Sequence, residues 1–265
     1  LVLRLESVGV DPDTLSGILL THEHGDHTRG LEVFLRKRRI PIYGNIRTAE
    51  YLRQRMSGEV EWMLFESGDG FPLGNVQVKS FYVPHDAVEP MGFVLQGEAG
   101  SMGIVSDVGH VTTLVQESLR GVDSLYVEAN YDDLMLQNDT KRPWSTKQRI
   151  SSRHGHLSNA QTAELVRAIA TPALHQVVLG HLSQDCNSPE VAMRAVSRSL
   201  EGSDALDVEI RCAPQNEVLE FRSVRRQQKE VSAPVLGRSR TAQPCADRTK
   251  ESRAWEATQE TLFEF

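Results

Sequence analysis

A dense group of metal-ligating side chains occupies the segment THEHGDHTRG at residues 21–30. It places three histidines and an aspartate within six positions: His22, His24, Asp26 and His27. Imidazole nitrogens and carboxylate oxygens are the ligands that suit zinc and related divalent ions. The segment follows the apolar run at residues 17–20, so it is predicted to form the loop beyond the end of a strand, where function collects in layered α/β folds. The spacing predicts part of a metal site.

Three further candidate ligands also follow apolar segments. His85 follows FYVP, Asp107 follows MGIVS, and His181 follows VVLG. Each one taken singly is explained as well by a capping residue or a hydrogen-bonded core residue. Four such places at predicted strand ends favour side chains that converge on one metal site.

The elements that must position these residues alternate along the chain. Apolar segments bounded by glycine and proline predict strands, many of them covered on both faces. They lie at residues 18–20, 40–43, 62–65, 76–83, 92–95, 102–105, 125–127, 175–179, 208–211 and 218–221. Helices are predicted over residues 2–9, after a capping box of Ser158 with Gln161, and from Ser188 with Pro189 as its first residue. The pattern indicates an α/β protein.

The composition sets bounds on function. The 265 residues carry a net charge of −7, and eight basic and six acidic residues from Arg225 onward leave −9 for residues 1–224. Binding to nucleic acid therefore needs a local basic patch.

No apolar run reaches the ~18–20 residues of a membrane span. The three cysteines are far apart and odd in number, which favours a reducing cytoplasm over a disulfide framework. Residues 225–265 lack sustained periodicity and are predicted to be a mostly disordered extension.

One stretch offers the basic patch. Residues 141–153 contain five basic residues and no acidic residue, with Trp144 among them, and lead directly to His156. Lysine and arginine contacts to phosphates, with an aromatic ring that stacks on a base, are typical of single-strand binding. The alternative is a solvated loop.

Several motifs together carry a family resemblance. THEHGDHTRGL, VPHDAVEPMGFVL, IVSDVGHVT and VLGHLSQDCNSPEVA resemble the metallo-β-lactamase-fold hydrolase superfamily. VEANYDDLML, KQRISSRHGHLSN and HLSQDCNSPE resemble its bacterial YycJ/WalJ (VicX) branch, regarded as cytosolic metal-dependent phosphodiesterases with exonuclease-like activity. The resemblance implies a metallo-β-lactamase-like αββα sandwich over residues 1–224.

The resemblance also implies roles for single residues. His22, His24 and His85 would hold a first metal ion, Asp26, His27 and His181 a second, and Asp107 would bridge them. Two ions ~3.5–4 Å apart can share a hydroxide nucleophile and stabilise both the attacking and the leaving oxygen of a phosphodiester. Zinc is expected first, while manganese and iron also suit such ligands. Asp26 is expected to act as both ligand and proton acceptor.

The remaining candidates surround this set. His156 is expected to donate to a phosphate oxygen or to protonate the leaving group, and His110 to do the same or to orient a ligand. A structural role is the alternative for both. Lys147, Arg149, Arg153 and Asn159 are expected to bind substrate. Glu128 and Asn130 support the site by hydrogen bonding or simply cap a strand. Cys186 is expected to be a small buried residue, and His154 and His175 to be structural or surface residues.

The chain departs from this family at its start. Relatives carry additional N-terminal strands before the position of Leu1, including one with an aspartate that orients the site. We therefore expect the sandwich to lack its first N-terminal strands. The strand nearest the N-terminus is predicted to be unpaired on one side or covered by a partner.

Three functions remain open from the sequence. The first is a dinuclear metal-dependent hydrolase of phosphodiesters, a DNA or RNA exonuclease, with nucleic acid as its partner and no membrane association. The second is an ester, thioester or lactone hydrolase on the same fold, which the acidic surface favours. The third is a truncated metal-binding protein with weak or no catalysis. The oligomeric state is left open.

Overall fold

The strands form two sheets of unequal size. The computed structural model describes residues 1–203, 205, 207–220 and 222–225. The smaller sheet contains three parallel strands, β1 (Ile18–Leu19), β2 (Ile42–Asn45) and β3 (Trp62–Phe65), in that order. The larger sheet has the order β10-β9-β8-β7-β6-β5-β4. Its strands are β4 (Gly70–Leu73), β5 (Val76–Tyr82), β6 (Met91–Gln96), β7 (Ser101–Val105), β8 (Ser124–Glu128), β9 (Gln176–Gly180) and β10 (Glu209–Cys212).

Helices connect most of these strands. They are α1 (Val2–Ser7), α2 (Gly25–Thr28), α3 (Leu31–Leu35), α4 (Ile46–Arg53), α5 (Thr113–Leu119), α6 (Asp133–Asn138), α7 (Trp144–Ile150), α8 (Asn159–Ile169) and α9 (Pro189–Leu200). The predicted start signals are confirmed. Ser158 and Gln161 form a reciprocal capping box at α8, and the Ser188 hydroxyl accepts from Val191 N at the start of α9.

The side chains of each sheet face two different apolar layers, because successive residues of a strand point to opposite faces. Leu19, Tyr43 and Phe65 of the small sheet pack with Val78 and Phe93 of the large sheet, which makes the layer between the sheets. Leu20, Ile42 and Trp62 point the other way, against Leu31 of α3 and Leu52 of α4. The other face of the large sheet is covered by apolar residues of α5, α8 and α9. The αββα sandwich predicted from the sequence is confirmed.

The small sheet ends on β1. This strand pairs with β2 on one side and lies at the sheet edge among the described residues, as the sequence predicted.

The strand predicted at residues 218–221 is wrong for residues 218–220, which have no strand pairing, and Phe221 lies outside the described residues. The extension predicted from Arg225 onward falls, apart from Arg225 itself, outside the described residues and stays a prediction. No helix in the described part of the chain is long and apolar enough to cross a bilayer.

Parallel pairing explains why the ligands meet. Strands β7, β8 and β9 run parallel and in register, with Val105 opposite Val127 and Glu128 opposite Gly180. Their carboxyl ends therefore share one edge of the sheet, where ligands bind in open α/β sheets. The loop after β1 reaches this edge because Met91 N, at the start of β6, donates to Thr21 O over 2.9 Å.

Candidate metal centre

Three histidines form a first group of ligand atoms. His22, His24 and His85 each offer a ring nitrogen, and these nitrogens all lie within 4.8 Å of one another. His22 and His85 are buried, and His24 is half-buried. The first two sit in the loop after β1, and His85 follows β5. Two loops thus supply one cluster, although His24 and His85 are 61 residues apart in sequence.

Two buried ring nitrogens of this group have no hydrogen-bond donor near them in the described part of the chain. His85 Nδ1 donates to Gly155 O at 2.8 Å, so its Nε2 carries a lone pair. That buried Nε2 and the buried Nε2 of His22 have no hydrogen-bond partner among the described residues. Asp86 Oδ1 and Asp107 Oδ1 lie 3.3 and 3.8 Å from His85 Nε2. Acceptors that face one another in a buried site need a cation between them, so this group fits a metal ion.

The protonation of this group also fits a metal ion. Burial, followed by the neighbouring charge of His27, lowers the pKa of His22 to about 3. Burial likewise lowers the pKa of His85. Both imidazoles are therefore neutral near pH 7, which is the form that binds metal. His24 Nε2 lies 3.1 Å from Asp86 O, which leaves its Nδ1 as the nitrogen available to a metal.

A second group combines carboxylates and imidazoles. Asp26, His27, Asp107 and His181 offer ligand atoms that also lie within 4.8 Å of one another. Asp26 Oδ2 is 3.5 Å from both His27 Nε2 and His181 Nε2. His27 Nδ1 lies 3.3 Å from Thr21 Oγ1, so its Nε2 faces the group. The hydrogen bond from His181 holds the pKa of the Asp26 carboxyl well below its usual range.

Asp107 links the two groups. Its Oδ2 lies 3.1 Å from His27 Nε2, and its Oδ1 lies 3.4 Å from His181 Nδ1 and 3.8 Å from His85 Nε2. Burial opposes ionisation of Asp107, but hydrogen bonds from His27 and Ser106 and the charge of His181 hold its pKa far below the usual range. This buried carboxylate contacts both groups. All seven ligands predicted from the sequence are thus brought together.

The backbone is strained at two of these ligands. Asp107 and His181 have φ values of 58° and 53°, and they are the only non-glycine residues with positive φ in the described part of the chain. Such a conformation costs ~1–3 kcal/mol and tends to cluster at functional sites. His181 directly follows β9, and Asp107 is the second residue after β7. The left-handed turn aims both side chains along the carboxyl edge, where they meet.

Glu128 closes the bottom of the site. Its carboxylate is fully buried, and Oε1 accepts from Val108 N at 2.5 Å and from Leu157 N at 3.2 Å. Its Oε2 lies 3.1 Å from His156 Nδ1 and 3.3 Å from His181 Nδ1. Burial opposes ionisation, yet the two histidines lower the pKa of Glu128.

Glu128 and Asp26 also set the protonation of His181. Burial by itself would lower the pKa of this histidine, but hydrogen bonds to Asp26 and Glu128 raise it to about 10. Asp26, Asp107 and Glu128 thus favour a positive charge at His181, which a bound cation would supply in place of the proton. Asn130 Nδ2 donates to His181 O at 2.9 Å. These contacts favour the supporting role for Glu128 and Asn130 over simple capping. In the sequence, the only indication of this role for Glu128 is its place at the end of β8, whose neighbours β7 and β9 lead to Asp107 and His181.

The two additional histidines lie in different surroundings. His156 is part of a third group with Asp107, Glu128 and His181, and its Nδ1 is 3.6 Å from Asp107 Oδ1. His110 belongs to none of the three ligand groups among the described residues. Its Nδ1 donates to Arg153 O at 2.9 Å, which ties it to the basic stretch.

The basic stretch contains helix α7, and its charges are partly paired. Lys141 and Arg142 form ion pairs with Asp185, and Lys147 Nζ donates to Gln137 O at 2.9 Å. Arg149 Nε donates to Asp86 Oδ2 at 2.6 Å, which places its guanidinium beside the first histidine group. Trp144 is 68% exposed. Arg153 is also exposed.

The position of Asn159 corrects its predicted substrate-binding role. Its side chain is buried, and its amide exchanges two hydrogen bonds of 2.8 Å with the amide of Asn187. Asn187 in turn donates to Ala129 O at 2.7 Å. A buried amide with its hydrogen bonds satisfied braces the start of α8 against the loop before α9. Cys186 is buried, as predicted.

Comparisons with known proteins agree with this geometry. The family model described as a beta-lactamase superfamily domain matches residues 4–182. The chain is 35% identical over 190 residues to the exodeoxyribonuclease YycJ of Bacillus anthracis, which covers 71% of each chain. It is 32% identical over 204 residues, 76% of each chain, to the exodeoxyribonuclease WalJ of Streptococcus pneumoniae. The metallo-beta-lactamase fold protein YhfI of Bacillus subtilis superposes with a TM-score of 0.60 at 14% identity, over 83% of each chain.

Proposed function

The chain belongs to the β-lactamase superfamily, and from this premise we propose that it is a metal-dependent nuclease that cleaves DNA phosphodiester bonds from a chain end. The observation that carries the proposal is the position of Asp107, whose carboxylate contacts both ligand groups. The identity to two exodeoxyribonucleases over more than two thirds of each chain supports DNA as the substrate.

The residues fit a pair of divalent ions. His22, His24 and His85 would hold the first ion, Asp26, His27 and His181 would hold the second, and Asp107 would be shared. The donor set of imidazoles with few carboxylates favours zinc, while manganese or iron also suits it. When bound, the two ions supply Lewis-acid activation of water and stabilise the charge that develops on the phosphate oxygens.

The protein's own residues move the protons and hold the substrate. Asp26 is 60% exposed at its side chain and ionised, so it can accept a hydrogen bond from the attacking water and orient it. Glu128 accepts from His156 Nδ1 and so orients the ring, and the imidazolium form of His156 would give its Nε2 proton to the leaving oxygen. Arg149, Arg153 and Lys147 face the phosphate backbone, and the exposed ring of Trp144 stacks on a base. His110 positions this stretch through its hydrogen bond to Arg153.

A cytoplasmic location follows from the same proposal. The proposed substrate, DNA, lies in the bacterial cytoplasm. Cys186 and Cys212 are free thiols in the structure, as expected in reducing surroundings. The hydrolase domain is assigned to residues 1–224.

Labelled oligonucleotides test the function. The purified protein, analysed for its metal content, is incubated with 5′-labelled and 3′-labelled single-stranded and duplex DNA, with and without chelator. We expect stepwise shortening from one end that the chelator abolishes and that added zinc or manganese restores. A protein that hydrolyses a thioester but no DNA under the same conditions would select the other hydrolase class. Turnover that survives chelation would contradict a metal-dependent mechanism.

A further inference from the structure

A cavity of about 500 Å³ opens directly beside the metal centre. It lies at the carboxyl edge of the large sheet, between the loop that follows β9, the start of α9 and the loop that follows β10. His181 lines it, so one residue belongs both to the metal-ligand cluster and to the cavity wall. The volume lies within the ~300–1,000 Å³ that is typical of small-molecule sites.

The chemistry of the walls selects an uncharged ligand. Apart from His181, the described residues that line the cavity are all uncharged. They include the apolar side chains of Leu182, Pro189 and Ala213 and the side-chain amides of Gln184 and Gln215. Apart from His181, a phosphate group would find no cation among these residues. A nucleobase with its sugar fits, because its faces are apolar and its edges donate and accept hydrogen bonds.

The walls are held in place before any ligand binds. Ser183 N donates to Asn130 O at 2.8 Å, and Ala213 N donates to Leu179 O at 2.8 Å, which ties the two wall loops to the ends of the sheet. The amides of Gln184 and Gln215, both exposed, hydrogen bond to each other and so join the two loops. A preformed cavity loses little entropy when a ligand enters.

We propose that this cavity binds the nucleoside that adjoins the scissile phosphodiester. The inference rests on the proposed function, because it takes the phosphate to lie at the metal ligands. From there the adjoining sugar and base reach the cavity across His181. The uncharged cavity then recognises the nucleoside, while the phosphates are held by the metal centre and the basic stretch.

The test compares two esters that share a leaving group. Thymidine 5′-(4-nitrophenyl phosphate) and methyl 4-nitrophenyl phosphate differ only in whether a nucleoside is attached. Ala213→Phe fills the cavity, and Ala160→Phe, at an exposed position of α8 outside it, is the matched control. We expect Ala213→Phe to lower kcat/KM for the thymidine ester at least tenfold and to change that for the methyl ester less than twofold. Ala160→Phe is expected to change neither. Equal changes for both esters, or none, would overturn the assignment.

A binding measurement separates this inference from the proposed function. Thymidine carries no phosphate, and its contact with the full-length protein can be followed by saturation-transfer NMR without any turnover. The wild type and Ala160→Phe are expected to show the transfer, and Ala213→Phe to lose it. If Ala213→Phe fails to fold, Gln215→Ala takes its place in the test. It changes only an exposed residue at the rim of the cavity and is expected to weaken the transfer signal. If neither ester is cleaved but thymidine still binds in this pattern, the nuclease proposal fails and the nucleoside cavity stands. If thymidine gives no transfer in the wild type, the cavity assignment fails.

Discussion

Asp107 Oδ1 lies 3.4 Å from His181 Nδ1, and these are the two residues whose backbone is left-handed outside glycine in the described part of the chain. They follow β7 and β9, and the strand between them, β8, ends in Glu128. Three parallel strands thus deliver a carboxylate, a second carboxylate and an imidazole to one point. Two carboxylates therefore lie close together around one imidazole, an arrangement that a bound cation would stabilise, which explains why the site fits metal ions.

Asp107→Asn is expected to abolish the link between the two metal groups. Asparagine tolerates the left-handed backbone and keeps the side-chain volume, but a neutral amide is a much weaker bridging ligand. We expect the bound metal measured by plasma emission to fall by at least one ion, and kcat/KM on DNA to fall by at least ~10²-fold. Asp185→Asn removes an exposed carboxylate away from the ligand groups and should keep both. Full metal content in Asp107→Asn would contradict the bridging role.

Glu128→Gln is expected to weaken both stability and catalysis. The amide keeps an oxygen for Val108 N and Leu157 N but turns a donor toward the Nδ1 atoms of His156 and His181. An unsatisfied buried contact costs about 1–3 kcal/mol in the free energy of unfolding. Losing the orientation of two histidines should lower activity roughly 10–100-fold.

The control for Glu128 is Glu117→Gln, on an exposed pair with Arg120. It should change the free energy of unfolding by no more than ~0.5 kcal/mol. The acidic limb of the pH–rate profile should move in Glu128→Gln and stay in place in Glu117→Gln. An unmoved profile would show that Glu128 is structural only.

Gly155→Ala tests the support of His85. A Cβ at this position would lie 2.1 Å from Ile150 O and 2.2 Å from Arg149 O, so the backbone must shift. The Gly155 carbonyl that accepts from His85 Nδ1 would move with it. We expect a loss of roughly 1–3 kcal/mol in thermal or urea unfolding and weaker metal binding. Gly58→Ala meets nothing within 4 Å and should leave both unchanged. Unaltered metal affinity in Gly155→Ala would disprove the dependence.

The metal-free protein is expected to lose stability as the pH falls below about 6.5. The folded state lowers the pKa of His22 to about 3 through burial, so the unfolded chain binds a proton that the folded protein does not. Unfolding is therefore favoured increasingly between pH 6.5 and 3, by up to ~1.4 kcal/mol per pH unit for one proton. Urea titrations of chelated protein at pH 4.5–6.5 should show a shallower dependence in His22→Leu. His154→Leu, at an exposed position, should keep the wild-type slope.

The sequence determined the ligand types and the strand ends that carry them. An apolar run precedes each of the predicted ligand positions, which are residues 22–27, His85, Asp107 and His181. Strand ends can be predicted from the sequence because apolar periodicity is local. The helix starts at Ser158 and Ser188 were predictable for the same reason, since capping joins residues three positions apart. The strand predicted at residues 218–221 failed because an apolar stretch becomes a strand only where a neighbouring strand pairs with its backbone, and residues 218–220 pair with no strand.

Only the tertiary structure decided which side chains face the site. Asn159 lies in a motif that resembles the family, yet its amide is buried against Asn187, 28 residues away. Glu128 could be a cap or a support until β7, β8 and β9 were aligned, and the cavity beside His181 exists only where the loops after β9 and β10 meet. The physical reason is that sequence patterns encode the local backbone and its apolar faces, whereas hydrogen-bond partners and cavities depend on contacts between distant segments that only the packed sheets bring together.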